Sequence, residues 1–121
     1  MRVAGIGFRR NANLASLKAA LDEAGTDGLS ALATVESKAD APALQALANM
    51  LGLPIQSIAQ VDLARQTVLT HSPRVTALVG AGSLAEAAAL AGAGLGARLL
   101  GPRVQSPDGM ATAAIAERTE R

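Results

Sequence analysis

Alternating short apolar runs and amphipathic helical segments predict an α/β fold: a single three-layer domain over residues 1–121, with a largely parallel or mixed sheet flanked by helices. Two observations carry the prediction. The first half reads strand, helix, strand, helix, strand, with a glycine closing each helix. An alanine-rich helical stretch late in the chain is then followed by two more strand-like runs, and no internal repeat or linker breaks the sequence.

Arg2 to Phe8 is a short apolar run containing Gly5 and Gly7, the pattern of a buried strand that ends in a tight, backbone-exposed loop. Arg9 and Arg10 follow on that loop. Asn13 stands where a cap is needed for a helix whose Leu14, Leu17, Leu21 and Ala24 recur at helical spacing up to Gly25. Leu29 to Val35 predicts a second strand that opens into a polar loop, Glu36 to Asp40. Asp40 or Ala41 caps the next helix, with Pro42 near its start; Leu44, Leu47, Ala48 and Leu51 line one face and Gly52 ends it. Pro54 introduces a short third strand at Ile55 to Ile58.

Val61 to Arg65 reads as a short helix, and the stretch after it as either a helix starting at Ser72-Pro73 or a strand at Val75 to Val79. Ser83, with Glu86 three residues on, forms a capping box for an alanine-rich helix reaching Ala91, and Gly92, Gly94 and Gly96 break it. Ala97 to Leu100 predicts a strand, Gly101 to Gly109 a polar loop with two prolines, and Met110 to Ala116 a last strand. The charged tail from Glu117 to Arg121 is expected to fray.

Composition excludes several function classes. Half the residues are apolar but Phe8 is the one aromatic, so the core is built from Ala, Leu, Val and Ile and offers few stacking surfaces. Eleven basic residues against ten acidic ones leave no excess charge for a phosphate backbone, and without Tyr or Trp there is no base-stacking platform, so no nucleic-acid partner is expected. With no Cys and the single His71, neither a cysteine-ligated zinc nor a multi-histidine metal site can form; no metal and no cofactor are expected. The apolar run before Arg9 is too short for a secretory signal, and no stretch approaches the ~20 residues that span a bilayer, so the expected setting is the cytoplasm, with no membrane partner.

Gly80-Ala81-Gly82-Ser83-Leu84-Ala85 matches a dinucleotide fingerprint literally, but little chain remains for a nucleotide-binding sheet and no acidic residue lies about twenty positions on. A tight turn at Gly82 and a cap formed by Ser83 and Glu86 account for it, with anion binding at the helix N-terminus as an added role. Gly5-Ile6-Gly7 followed by Arg9 and Arg10 places two guanidinium forks at the C-terminal end of a strand, where open α/β sheets bind ligands and where arginine suits carboxylate or phosphate. Lys38 after the second strand and Arg103 after the Ala97 to Leu100 run would complete a positive rim, with Thr34, Ser106 and Thr112 as hydroxyl donors. His71 beside Ser72 lacks a third member and carries no catalytic weight.

Four segments, GIGFRR at Gly5 to Arg10, ALATVESKADAPAL at Ala31 to Leu44, GAGSLAEAAAL at Gly80 to Leu90 and GPRVQSPDGMATAAIA at Gly101 to Ala116, together resemble the CobE/CbiG C-terminal domain family. Its usual versions read like GIGCRRG, TIDLKADE, VGVxSVxEAAAL and PKxKSxxVTVAIA. The resemblance covers nearly the whole chain and marks Gly5, Gly7, Arg9, Arg10, Thr34, Lys38, Asp40, Ser83, Glu86, Pro102, Arg103 and Ser106. Phe8 stands where the family often has Cys, Asn11 where it often has Gly, and Arg103 where Lys is usual, which leaves no Cys-dependent role here. What the resemblance implies is cobalamin biosynthesis: binding or delivery of a carboxylate-rich precorrin or hydrogenobyrinate-type intermediate, an anionic tetrapyrrole. Longer relatives imply an alternative, hydrolytic opening of a cobalt-precorrin lactone, for which Glu36, Asp40 and Glu86 are the acids near the rim. A third reading is a docking subunit for other cobalamin biosynthesis enzymes. The expected ligand-binding set is Gly5, Gly7, Arg9, Arg10, Thr34, Lys38, Gly82, Ser83, Glu86, Arg103 and Ser106.

Overall fold

The structure, a computed structural model, describes residues 1–69 and 83–119. The Ser72-Pro73 and Val75 to Val79 alternatives, His71 and Gly82 lie outside the described residues. Among the described residues six strands form one mixed sheet, β1 (Arg2–Phe8), β2 (Leu29–Val35), β3 (Ile55–Ile58), β4 (Arg98–Leu99), β5 (Val104–Gln105) and β6 (Ala111–Glu117), in the order β3-β2-β1-β6-β4 with β5 also on β6. β3, β2 and β1 run parallel, and β6 runs antiparallel to β1 from Arg2↔Glu117 to Phe8↔Ala111. The parallel half comes from two helical crossovers. No crossover helix separates Arg98 from Glu117, and strands joined by so short a connection pair antiparallel.

The strand expected at Ala97 to Leu100 is only Arg98–Leu99, and the loop expected at Gly101 to Gly109 contains the second edge strand, Val104–Gln105. Leu100 to Arg103 bulges between them. The last strand begins and ends one residue later than predicted, at Ala111–Glu117.

Four α-helices, α1 (Leu14–Ala24), α2 (Pro42–Leu51), α3 (Gln60–Ala64) and α4 (Leu84–Ala93), cover both faces among the described residues. Asn13 caps α1 through its side chain, accepting the Ser16 N–H at 2.9 Å, whereas Pro42 opens α2 without a side-chain cap. Gly52, left-handed at φ 69°, ends α2 with the Leu53 N–H returning to the Ala48 carbonyl at 3.0 Å.

The alternation of the strands divides the core into two layers of different grain. On the α1 and α2 side, Ala4, Ile6, Leu32, Ala113 and Ile115 meet Leu17, Leu21, Leu44 and Leu47. On the α4 side the strands supply Val3, Ala31, Ala33, Val35 and Ala116, and the helix answers with Ala87, Ala88, Ala89 and Ala93. Small residues on both surfaces bring α4 so close that a Cβ added at Gly5 would lie 1.9 Å from the Ala85 carbonyl oxygen. Gly5 is therefore required by the approach of the helix backbone. No helix among the described residues is long and apolar enough to cross a membrane.

Candidate functional site

At the carboxyl ends of β1 and β2 the sheet opens into a cleft of about 820 Å³. Its base is formed by Phe8, Val35, Leu84, Met110 and Ala111, and its rim by Arg9, Arg10, Lys38 and Arg103. The backbone geometry explains the opening. β1 pairs with β2 only as far as Gly5↔Ala33 but with β6 as far as Phe8↔Ala111. Beyond Gly5, the buried Thr34 hydroxyl donates to the Ile6 carbonyl at 2.8 Å.

The four cations are held differently. Arg9 and Arg10 are exposed on the loop after β1, which is anchored where the Arg9 N–H donates to the Met110 carbonyl at 2.9 Å. Lys38, on the 3-10 turn Glu36–Lys38, donates from Nζ to the Phe8 carbonyl, and the same nitrogen stands 5.0 Å from the centroid of the Phe8 ring. Arg103 sits on the bulge between β4 and β5. Arg2, Lys18, Arg65 and Arg98 are each ion-paired elsewhere, whereas Arg9, Arg10 and Arg103 make no ion pair among the described residues. No carboxylate lines the cleft among the described residues. The arrangement is thus a focused positive rim on a nearly neutral protein, suited to an anion.

The structure brings Gly7, Arg9, Arg10, Lys38 and Arg103 together on this cleft. The other residues singled out in the sequence occupy the layers behind it. Gly5 receives α4, and Thr34 holds the β1 backbone. Ser83, fully buried, caps α4 by accepting the Glu86 N–H at 3.3 Å. The Glu86 side chain does not face the cleft: it is fully buried and accepts the Leu69 N–H at 2.8 Å and the Arg103 N–H at 2.7 Å. Ser106 accepts the Ala111 N–H at 3.1 Å and donates to Asp108. Thr112, which does line the cleft, donates to the Gly7 carbonyl at 3.3 Å.

Sequence reasoning missed the cleft's apolar floor and a polar clasp. Asp108 accepts from Ser106 at 2.6 Å, from Ser16 at 2.5 Å and from the Met110 N–H at 3.0 Å, which ties the Ser106 to Met110 turn to the start of α1. These bonds, Ser106's first, hold the Asp108 carboxyl below the usual carboxylate range. The available signal was Ser106-Pro107-Asp108-Gly109, a β-turn sequence closed by the Gly109 N–H to the Ser106 carbonyl at 2.9 Å. Among the described residues no cluster of His, Asp and Glu could hold a metal ion.

A family profile described as "Cobalamin synthesis G C-terminus" matches residues 2–116. The chain belongs to this family. It is accordingly a protein of cobalamin biosynthesis. Among solved structures it is similar to CobE, a protein from the cobalamin (vitamin B12) biosynthetic pathway, at 36% identity and TM-score 0.84, covering 100% of this chain and 93% of that one. It is also similar to the cobalamin biosynthesis protein chiG from Agrobacterium tumefaciens, at 37% identity and TM-score 0.72, covering 99% and 100%. No curated protein sequence matches the chain. Both structural relatives are covered almost end to end, so this cobalamin synthesis G C-terminal domain shares their whole fold.

Proposed function

We propose that the domain binds, and delivers within the pathway, an anionic corrin-ring intermediate of the precorrin or hydrogenobyrinate type. The observation that carries this reading is the cleft itself: four cationic side chains surround an apolar floor and no carboxylate lines it among the described residues. Such intermediates combine a broad ring with carboxylates around its edge, which match an apolar floor and cationic rim respectively. Arginine forks at Arg9, Arg10 and Arg103 suit those carboxylates, and the ammonium of Lys38, fixed over Phe8, adds a positioned charge. The hydrolytic alternative needs a group to activate water. Glu36 and Asp40 do not line the cleft, and the Glu86 carboxylate is engaged by backbone amides, which favours binding over hydrolysis.

The test is a titration with hydrogenobyrinic acid and earlier ring intermediates, followed by visible absorption, with the wild type beside an Arg9→Ala, Arg10→Ala double variant. Binding that weakens about tenfold or more in the variant, and further at high salt, is expected from loss of two charge-assisted contacts on a solvent-facing loop. A folded wild type that binds none of these compounds overturns the reading and directs attention to protein partners.

A further inference from the structure

The most unusual polar group in the fold is the carboxylate of Glu86. It is fully buried against an alanine-rich layer. A buried carboxylate costs free energy unless hydrogen bonds satisfy it, and backbone amides do so here. Oε1 takes the N–H of Leu69 and Oε2 takes the N–H of Arg103, so one side chain holds two segments that are 34 residues apart in sequence.

We infer that Glu86 is a positioning residue of the ligand site: it fixes the bulge at Leu100 to Arg103, and through it the Arg103 guanidinium on the cleft rim. This rests on the anion-binding reading above and deepens it. Among the described residues the bulge is bounded by ladder bonds on either side. β4 and β5 are two-residue strands on β6, with the Leu100 N–H donating to Ile115 at 2.9 Å and the Ser106 N–H donating to Ala111 at 2.9 Å on either side. Between those rungs the Arg103 N–H turns inward to Glu86 instead of toward the β6 ladder. The Arg103 side chain then lines the cleft.

The two-acceptor role also explains why the residue is an acid. A carboxylate offers an acceptor oxygen to each amide, whereas glutamine offers one oxygen and an NH₂ that meets the second N–H donor to donor. Glu86→Gln keeps the shape and breaks one tie. Glu86→Asp keeps the charge and shortens the reach, so an effect of buried charge alone would spare it.

The experiment is a double-mutant cycle on hydrogenobyrinic acid binding, with wild type, Glu86→Gln, Arg103→Ala, the Glu86→Gln, Arg103→Ala double variant, and Glu86→Asp, each checked for fold by far-UV circular dichroism. Amide exchange of Leu69 and Arg103 is read in the absence of ligand. Glu86→Gln is expected to weaken binding about fivefold in the wild-type background and less than about twofold when Arg103 is already alanine, the non-additivity of two residues acting as one. Arg103 or Leu69 should exchange faster in Glu86→Gln, and Glu86→Asp should bind as weakly as Glu86→Gln.

Equal losses in both backgrounds, or unchanged binding in folded Glu86→Gln, overturn the positioning role while the binding reading stands. If Glu86→Gln does not fold, Glu86→Asp takes its place in the cycle with the same criterion. If neither folds, Arg103 exchange in the wild type decides: protection no greater than at its exposed neighbours overturns the role, and strong protection supports it. A wild type that does not bind overturns the binding reading, and the role built on it falls with it.

Discussion

Gly5→Ala is the substitution for which the structure gives the most definite consequence. The added methyl carbon would lie 1.9 Å from the Ala85 carbonyl oxygen and 2.6 Å from the Ala89 amide nitrogen, both backbone atoms of α4. Neither can rotate away. Restoring ordinary contact at 3.4 Å requires the helix and β1 to separate by about 1.5 Å. Much of the α4 side of the core, including Ala85, Ala87, Ala88, Ala89 and Ala93, packs through that interface, and short side chains cannot fill the gap. Overpacking costs roughly 1–3 kcal/mol where side chains can yield, so a backbone clash belongs at or beyond the upper end, about 3 kcal/mol or more. Against a typical total of about 5–15 kcal/mol this is a large fraction, and it corresponds to a Tm lowered by about 10 °C or more. Urea denaturation of Gly5→Ala is the assay, with an unchanged m-value confirming that the native state and not the denatured state has changed. Gly92→Ala is the comparison, because its Cβ would meet Gln56 Oε1 and Val3 Cγ1 at 2.9 Å and Ala33 Cβ at 3.1 Å, side-chain atoms of which only the glutamine's can swing aside, and no backbone atom. Its expected cost, about 1–2 kcal/mol of overpacking partly offset by helix propensity, is smaller than that of Gly5→Ala. A Gly5→Ala protein within 2 °C of the wild-type Tm, roughly half a kcal/mol, would refute the close-approach argument.

Three further outcomes follow from the same contacts. Ser83→Ala removes the side-chain cap of α4 and is expected to cost about 1 kcal/mol in urea denaturation. The carboxyls of Asp108 and Glu117 both lie below their usual range, the first through Ser106, Ser16 and Met110, the second chiefly through the hydrogen bond from Arg2 with Arg98 adding attraction. Below the ordinary carboxylate range the unfolded chain therefore binds more protons than the folded one. The stabilisation from both groups is complete above that range and is lost as pH falls through the lowered folded values. Asp108→Asn should flatten that acid slope, measured as Tm against pH, and no change in slope would contradict the clasp. The Arg9→Ala, Arg10→Ala variant should keep its Tm within about 2 °C, because both side chains are exposed and form no ion pair among the described residues.

Much of the fold was legible because glycine and periodicity punctuate it. Asn13, Gly25 and Gly52 bound helices at the predicted places, and the α4 cap was visible in Ser83 and Glu86. The edge strands were not legible: a two-residue strand has no period to detect, and Pro102 and Pro107 mask β5 inside an apparent loop. The direction of β6 was recoverable from the missing crossover helix. For the site, the carboxyl-end rule located Arg9, Arg10, Lys38 and Arg103. Sequence could not show which polar side chains turn inward. Thr34, Ser83, Glu86 and Ser106 look like potential ligand contacts, yet in the structure each is spent on a backbone group that strand divergence, a helix start or a bulge leaves in need of a partner.

These placements imply that binding and stability should separate by layer. Arg9 and Arg10 stand on a solvent-facing loop, so their loss should affect affinity alone. Gly5 lies within the sheet, paired on both sides, and does not line the cleft, so its first effect is on stability. Glu86 belongs to both layers, since its helix rests on Gly5 and its carboxylate holds the bulge of Arg103. A displacement of α4 by about 1.5 Å, the shift that Gly5→Ala demands, exceeds what two hydrogen bonds of 2.7 and 2.8 Å can absorb without stretching past about 3.5 Å. A Gly5→Ala protein that still folds should therefore show the same loss of affinity as Glu86→Gln, although residue 5 is remote in sequence from both Glu86 and Arg103. The tight packing of small residues beneath the cleft is thereby part of the means by which the rim is held in place.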